Sequence, residues 1–295
     1  MPDTCKKVTR KSKPEWLKIR LHDSAGFART ASTVEHAGLH TICTSGKCPN
    51  KAECWSRRTA TLMILGDICT RRCKFCATAT GRPLPPDTAE PRRVAESVRT
   101  LGLRHVVLTS VTRDDLPDEG AAAWAATVEA VRGLNPAATI EALLPDMHAR
   151  SELLNAVLAS GPDIAGHNIE TVRRLTPRVR SGARYDTSLE TLRFMAGSGA
   201  VTKSGLMLGL GEREDEILET LSDLRRAGVK IVTLGQYLQP TREHLPVEDY
   251  ITPDDFARYR REALSLGFSY AAAGPLVRSS YLADKALGAC GVKRA

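Results

Sequence analysis

Short apolar runs rich in β-branched residues alternate along the chain with stretches whose apolar positions recur at helical spacing. The runs TATLMILG (59–66), RHVVLTSV (104–111), TIEALLP (139–145), DIAGHNIE (163–170), KSGLMLGL (203–210) and KIVTLGQYL (230–238) predict strands. Helices are predicted over 89–102, 120–134, 149–160, 185–199, 213–228 and 252–267. Leu189, Leu192, Phe194 and Met195 keep the helical period in the fourth of these, and Ile217, Leu218, Leu221 and Leu224 keep it in the fifth. Gly102, Gly199, Gly228 and Gly267 fall just past predicted helix ends, where a left-handed residue closes the last turn.

Six strand–helix units in alternation imply an α/β fold with a parallel sheet, each crossover helix packing back onto it. Six units rather than eight predict a partial (β/α)6 TIM-like barrel, although a doubly wound open sheet would give the same periodicity. In either architecture function gathers at the carboxyl ends of the strands. Residues 1–58 do not fit the repeat and are read as an N-terminal extension. Residues 59–267 form the barrel, and 268–295 a short tail carrying Arg278-Ser279-Ser280-Tyr281. The 295 residues, 42% of them hydrophobic, are enough for one such core. No apolar run is long enough to span a membrane, and no apolar run follows the basic N-terminus as in a secretory signal, so a cytoplasmic protein without membrane contact is expected.

The net charge of +8 is partly local. Lys6, Lys7, Arg10, Lys11, Lys13, Lys18 and Arg20 face only Asp3 and Glu15 in the first twenty residues. This segment reads first as a solvated tail. Read as a docking surface, it suits an acidic protein domain at least as well as RNA, and with no nucleic-acid motif in the chain no nucleic-acid partner is expected.

Eight cysteines in a cytoplasmic chain point to metal binding or catalysis rather than disulfides. Cys5 and Cys290 stand alone and receive no role. The other six form two triads, Cys43-x4-Cys48-x5-Cys54 and Cys69-x3-Cys73-x2-Cys76. The second could be one face of a buried helix, but Thr70, Arg71, Arg72 and Lys74 crowd between its cysteines directly after a strand, which suits a loop. Structural zinc is closed by four ligands, whereas three thiolates leave one iron of a cubane cluster open to a substrate or cofactor. For the upstream triad, spacing alone leaves open a structural zinc with His36 or His40 as fourth ligand.

The downstream spacing, with Phe75 before its last cysteine, resembles the radical S-adenosylmethionine superfamily. Together with CTSGKCPNKAECW, TSVTRDDL, HNIETV, TKSGLMLGLGE, GQYLQPTREHLPV and GPLVRSSY, it resembles the lipoyl synthase family from about residue 38 to 283. The resemblance implies two [4Fe–4S] clusters and S-adenosylmethionine, and the insertion of two sulfurs at carbons 6 and 8 of a protein-bound octanoyl-lysine. It implies that Cys69, Cys73 and Cys76 hold the cluster that cleaves the cofactor. It implies further that Cys43, Cys48, Cys54 and Ser280 hold an auxiliary cluster consumed as the sulfur source. The implied partners are an octanoylated lipoyl carrier domain, of acyltransferase-subunit or glycine-cleavage type, and an electron donor such as ferredoxin or flavodoxin.

For the S-adenosylmethionine pocket the strand ends nominate Ser110, Arg113 and Asp114, then Asn168 and Glu170. Gly209, Gly211 and Glu212 are nominated by the resemblance. Gln236, Tyr237 and Gln239 are expected along the substrate channel. The chain departs from the family pattern at Thr112, Glu119, Thr176-Pro177 and Leu282. Two other readings compete: a different radical sulfur-inserting enzyme, biotin-synthase-like or tRNA-methylthiolating, and a zinc-stapled nucleic-acid-binding protein.

Overall fold

The computed structural model describes residues 12–18, 25–57, 59–180, 182–281 and 283–291; Cys5 and Leu282 lie outside them. In chain order the strands are β1 (His40–Thr41), β2 (Thr61–Ile64), β3 (Ile68–Cys69), β4 (Ala79–Thr80), β5 (His105–Ser110), β6 (Thr139–Leu143), β7 (Ile164–Gly166), β8 (Val201–Leu208), β9 (Ile231–Gln236) and β10 (Tyr270–Gly274). The helices are α1 (Ala25–His36), α2 (Ile42–Ser45), α3 (Lys51–Ser56), α4 (Glu90–Leu101), α5 (Ala121–Leu134), α6 (Ser151–Ala159), α7 (Thr176–Val179), α8 (Tyr185–Gly197), α9 (Glu214–Arg226), α10 (Pro253–Ser265) and α11 (Asp284–Ala289).

The main sheet runs β1-β2-β5-β6-β7-β8-β9-β10, and β3 pairs with β4 apart from it. From β2 to β10 every neighbouring pair is parallel, while β1 lies antiparallel on β2. No pairing joins β1 to β10 among the described strands, so the sheet is a partial barrel, open on one side. β2 and β9 are buried along their whole lengths, because helices cover one face and the interior of the curved sheet covers the other. The predicted helix-ending glycines are left-handed as expected, with φ of 65° at Gly102 and 92° at Gly267.

The periodicity missed two strands of the sheet and the helices of the extension. β10 reads YAAAG, with little β-branched character, and forms where the open edge of β9 offers a full row of partners, from Tyr270 against Ile231 to Gly274 against Gly235. α1 buries only Thr30 and Val34 fully, too sparse a pattern to read as a helix.

Inside the sheet Lys203 Nζ donates to both Glu141 oxygens at 2.7 and 2.9 Å, with both side chains almost wholly buried. Burial pushes the Glu141 carboxyl up, but the Lys203 ammonium and the His105 ring together outweigh it and the group stays below its ordinary range.

Candidate metal centres

Cys69 closes β3, and Cys73 and Cys76 follow in the loop before β4. The loop is fastened on both sides. Thr70 donates to the Thr112 carbonyl through N and Oγ1 at 3.1 and 3.0 Å, and the Thr112 amide donates to Cys69 Sγ at 3.3 Å. These bonds use Thr112 backbone atoms, so the loop does not draw on the side chain at that position. On the other side, Lys74 N donates to Val179 O at 2.9 Å, and the His244 ring meets the Cys76 carbonyl at 2.8 Å.

Arg71, between the first two cysteines, turns away from the sulfurs. Its guanidinium binds Asp114 twice at 2.8 Å and Asp146 once at 2.8 Å. Burial would raise the Asp146 carboxyl, yet Arg71, with the His167 ring and the His148 amide, outweighs it and draws it down to about 2.

The three thiols are half-buried and free. Burial pushes the Cys73 thiol up to about 11, against the pull of the Arg180 guanidinium, and burial also raises Cys76. Glu170 acts on both from the end of the fourth predicted strand. Its backbone is left-handed, with φ of 66°, and Asn168 Nδ2 donates to its Oε1 at 3.0 Å. A Cβ on Gly205 would stand 2.8 Å from Asn168 Oδ1, so the glycine makes room for the amide. The structure therefore brings Asn168 and Glu170 beside the downstream triad. His167 is held inside, between Leu144 O at 2.9 Å and Ser188 Oγ at 3.0 Å, and burial drives its ring down to about 4.

The other pocket candidates have different partners. Ser110 Oγ accepts from Trp124 Nε1 at 3.2 Å. Arg113 is buried and grips Asp115 at 2.8 and 2.9 Å, while Asp114 belongs to Arg71. Glu212 Oε2 accepts from the amides of Gly209 and Leu210 at 2.9 and 3.0 Å, so this carboxylate closes its own loop. Gly209 and Gly211 are both left-handed, with φ of 102°. Gln236 does not face a channel: its amide ties Leu208, Tyr237, Asp249 and Ile251 together. Tyr237 and Gln239 likewise hold the loop after β9, on the carbonyls of Leu245 and His244.

The upstream triad sits in the extension. Cys43 lies in α2, Cys54 in α3 and Cys48 between them. Thr41 accepts from Thr44 N to start α2. The three cysteines line one cavity with Arg278, Ser280 and Tyr281 of the tail. Thr61 of β2 lines it as well, and its Oγ1 donates to Ser280 Oγ at 2.7 Å. Burial raises the Cys48 thiol and, with the neighbouring thiols, pushes Cys54 up to about 12.

His36 is bonded to Ser32 within α1, and His40 pairs with Met63 across β1 and β2; neither lines the cavity. A tetrahedral zinc, with Zn–S of about 2.3 Å, would hold its sulfurs about 3.8 Å apart. Among the described residues only Asp114, Glu119 and His148 bring three ligand atoms within 4.8 Å of one another. Neither cysteine triad is drawn in so tightly, and their soft thiolate donors are of the chemistry that iron–sulfur clusters take. The Asp114 carboxylate of that third group is already taken by Arg71.

Sequence reasoning missed Asn50, Thr61, Arg180 and Arg278 near the two centres. Asn50 and Arg278 lie within cysteine or serine motifs and were legible as neighbours. Thr61 and Arg180 carried no local signal.

The family model of the radical SAM superfamily matches residues 63–224. The chain is 55% identical to a lipoyl synthase of Parabacteroides distasonis, over 92% of this chain and 97% of that one. It is 56% identical to a lipoyl synthase of Porphyromonas gingivalis, over 93% and 98%. Among solved structures, methylornithine synthase (PylB) superposes with a TM-score of 0.54 at 16% identity, covering 79% of this chain and 82% of that one. Streptococcus suis SuiB bound to S-adenosylmethionine gives a TM-score of 0.57 at 12% identity, covering 72% and 52%. These two likenesses speak for the fold.

Proposed function

The chain belongs to the lipoyl synthase family of the radical S-adenosylmethionine superfamily, and from that premise we propose how its residues divide the work. The enzyme is a sulfurtransferase that inserts two sulfur atoms into an octanoyl chain carried on a lipoyl-carrier protein. When bound, S-adenosylmethionine and one [4Fe–4S] cluster supply the radical that removes hydrogen from an unactivated methylene, and a second cluster supplies sulfur.

Cys69, Cys73 and Cys76 hold the first cluster. Each thiol must lose its proton on loading, and the raised Cys73 and Cys76 thiols make that loss part of metal binding. Asn168 and Glu170 border the cofactor, with Gly209 and Gly211 shaping the far wall. Arg71, Asp114 and Glu212 keep the surrounding loops in place. Cys43, Cys48, Cys54 and Ser280 hold the second cluster. The observation that carries this assignment is the shared cavity of those three cysteines and Ser280, which come from opposite ends of the chain. A serine oxygen is a harder, poorer match to iron than a thiolate, which suits a ligand that must release as sulfur is drawn off.

We read residues 1–58 as the auxiliary-cluster extension, 59–267 as the barrel and 268–295 as the tail that completes the second site. Acyltransferase-subunit and glycine-cleavage carrier domains both fit as substrates, with a ferredoxin or flavodoxin as electron donor. A reducing cytoplasmic setting suits the free thiols. No helix among the described residues is long and apolar enough to cross a membrane.

The test is an anaerobic single-turnover assay with an octanoyl-lysyl peptide, S-adenosylmethionine and reductant. Cys69→Ala abolishes 5′-deoxyadenosine formation. Cys48→Ala keeps cofactor cleavage and loses thiolated product; lipoyl product from Cys48→Ala would refute the sulfur-donor assignment.

A further inference from the structure

Beyond β10 the segment 276–281 crosses the top of the sheet, and side chains from four places fasten it. Asn50 Nδ2 donates to Leu276 O at 2.7 Å. Ser279 Oγ donates to Asn168 Oδ1 at 2.8 Å. Thr61 Oγ1 donates to Ser280 Oγ at 2.7 Å. Tyr281 OH donates to the Glu53 carboxylate at 3.1 and 3.4 Å. The Val277 carbonyl rests on Gly235 so closely that a Cβ there would stand 2.1 Å from its oxygen.

Two features mark these contacts as purposeful. Asn50 occupies the N-cap of α3, where an asparagine ordinarily bonds its own helix, yet its side chain makes no cap bond and reaches the strap instead. Ser279 and Ser280 are neighbours in sequence with opposite duties. Ser279 meets Asn168 on the downstream side, and Ser280 lines the upstream cavity. One dipeptide thus spans the gap between the two centres, and the grip on Ser279 sets where Ser280 can be.

We propose that Ser279 and Tyr281 are positioning residues that dock the strap 276–281 onto Asn168 of the barrel and Glu53 of the extension, so that Ser280 stays at the cysteine cavity whether or not the cavity is loaded. The strap then does not depend on the cluster that the reaction consumes. After turnover the enzyme keeps a formed site for reloading. This inference rests on the reading of Ser280 as the fourth ligand.

The test is hydrogen exchange on the iron-free full-length chain, read on peptides covering 276–281. Wild-type protein is expected to protect the strap. Ser279→Ala, which loses a neutral hydrogen bond, should exchange about fivefold faster, and Tyr281→Phe, which loses one to a carboxylate, about tenfold or more. Ser279→Thr keeps the hydroxyl and should restore protection. A wild-type strap as exposed as that of the Ser279→Ala/Tyr281→Phe protein would overturn the proposal, as would a double variant as protected as wild type.

A second measurement separates this from the ligand reading. In a Cys69→Ala/Cys73→Ala/Cys76→Ala background, reconstituted to carry the auxiliary cluster alone, Ser280→Cys should change the cluster's Mössbauer signature. An unchanged signature would remove Ser280 as a ligand while leaving the exchange result to judge the strap.

Discussion

Arg71→Leu probes the scaffold of the downstream cluster loop. The guanidinium, with its side chain 6% exposed, donates three bonds to Asp114 and Asp146. Asp114 can be rescued by water, but Asp146 is 2% exposed and among the described residues keeps only the His148 amide as a further hydrogen-bond donor. Removing one partner of a buried ion pair costs about 3–5 kcal/mol.

A second figure comes from the Asp146 carboxyl, drawn down to about 2 from an ordinary 3.8 by Arg71, the His167 ring and the His148 amide together; at ~1.4 kcal/mol per pH unit that difference corresponds to ~2.5 kcal/mol, of which Arg71 supplies a part. Both routes predict a melting temperature lower by on the order of 10 °C in the iron-free protein at neutral pH. Because the folded value is depressed, the contribution is complete above the ordinary carboxylate value and disappears as pH falls from about 4 towards 2. The gap between wild type and variant should close over that window. Circular dichroism melts of Arg71→Leu, Asp146→Leu and the double variant supply the cycle. A coupling below about 0.5 kcal/mol would refute the claim that Arg71 acts through Asp146.

Gly235→Ala places a methyl group against the Val277 carbonyl, where backbone cannot yield cheaply, so the strap shifts and the auxiliary site fails to load. In the Cys69→Ala/Cys73→Ala/Cys76→Ala background, iron analysis should fall from about four per chain towards zero. Lys203→Met takes the ammonium from the buried Glu141 carboxylate, leaving the His105 ring at 3.6 Å beside it, and should lower the melting temperature by on the order of 10 °C. Adding Glu141→Gln should recover part of the loss, and no recovery would count against the pair as its cause.

The sequence by itself determined everything written at short range. The six strand–helix units come from periods of a few residues, and the left-handed closures at Gly102 and Gly267 come from single positions. The two triads are legible because ligands on one loop must be close in sequence, and Cys-x3-Cys-x2-Cys directly after a strand has few other uses. Side-chain direction is a different matter. Ser110, Arg113 and Glu212 stand at strand ends where a pocket was expected. Trp124, Asp115 and the amides of the Glu212 loop take them up, because a buried polar group binds whatever partner the packing places nearest. Ser280 was joined to Cys43, Cys48 and Cys54 in the sequence only through the family resemblance of its motif, and the tertiary structure alone brought Thr61 to that cavity and Asn50 to the strap. No spacing rule spans such a separation, and only the path of the chain through β10 closes it. β10 itself follows from the same cause: its weak local preference yields to the unfilled edge of β9.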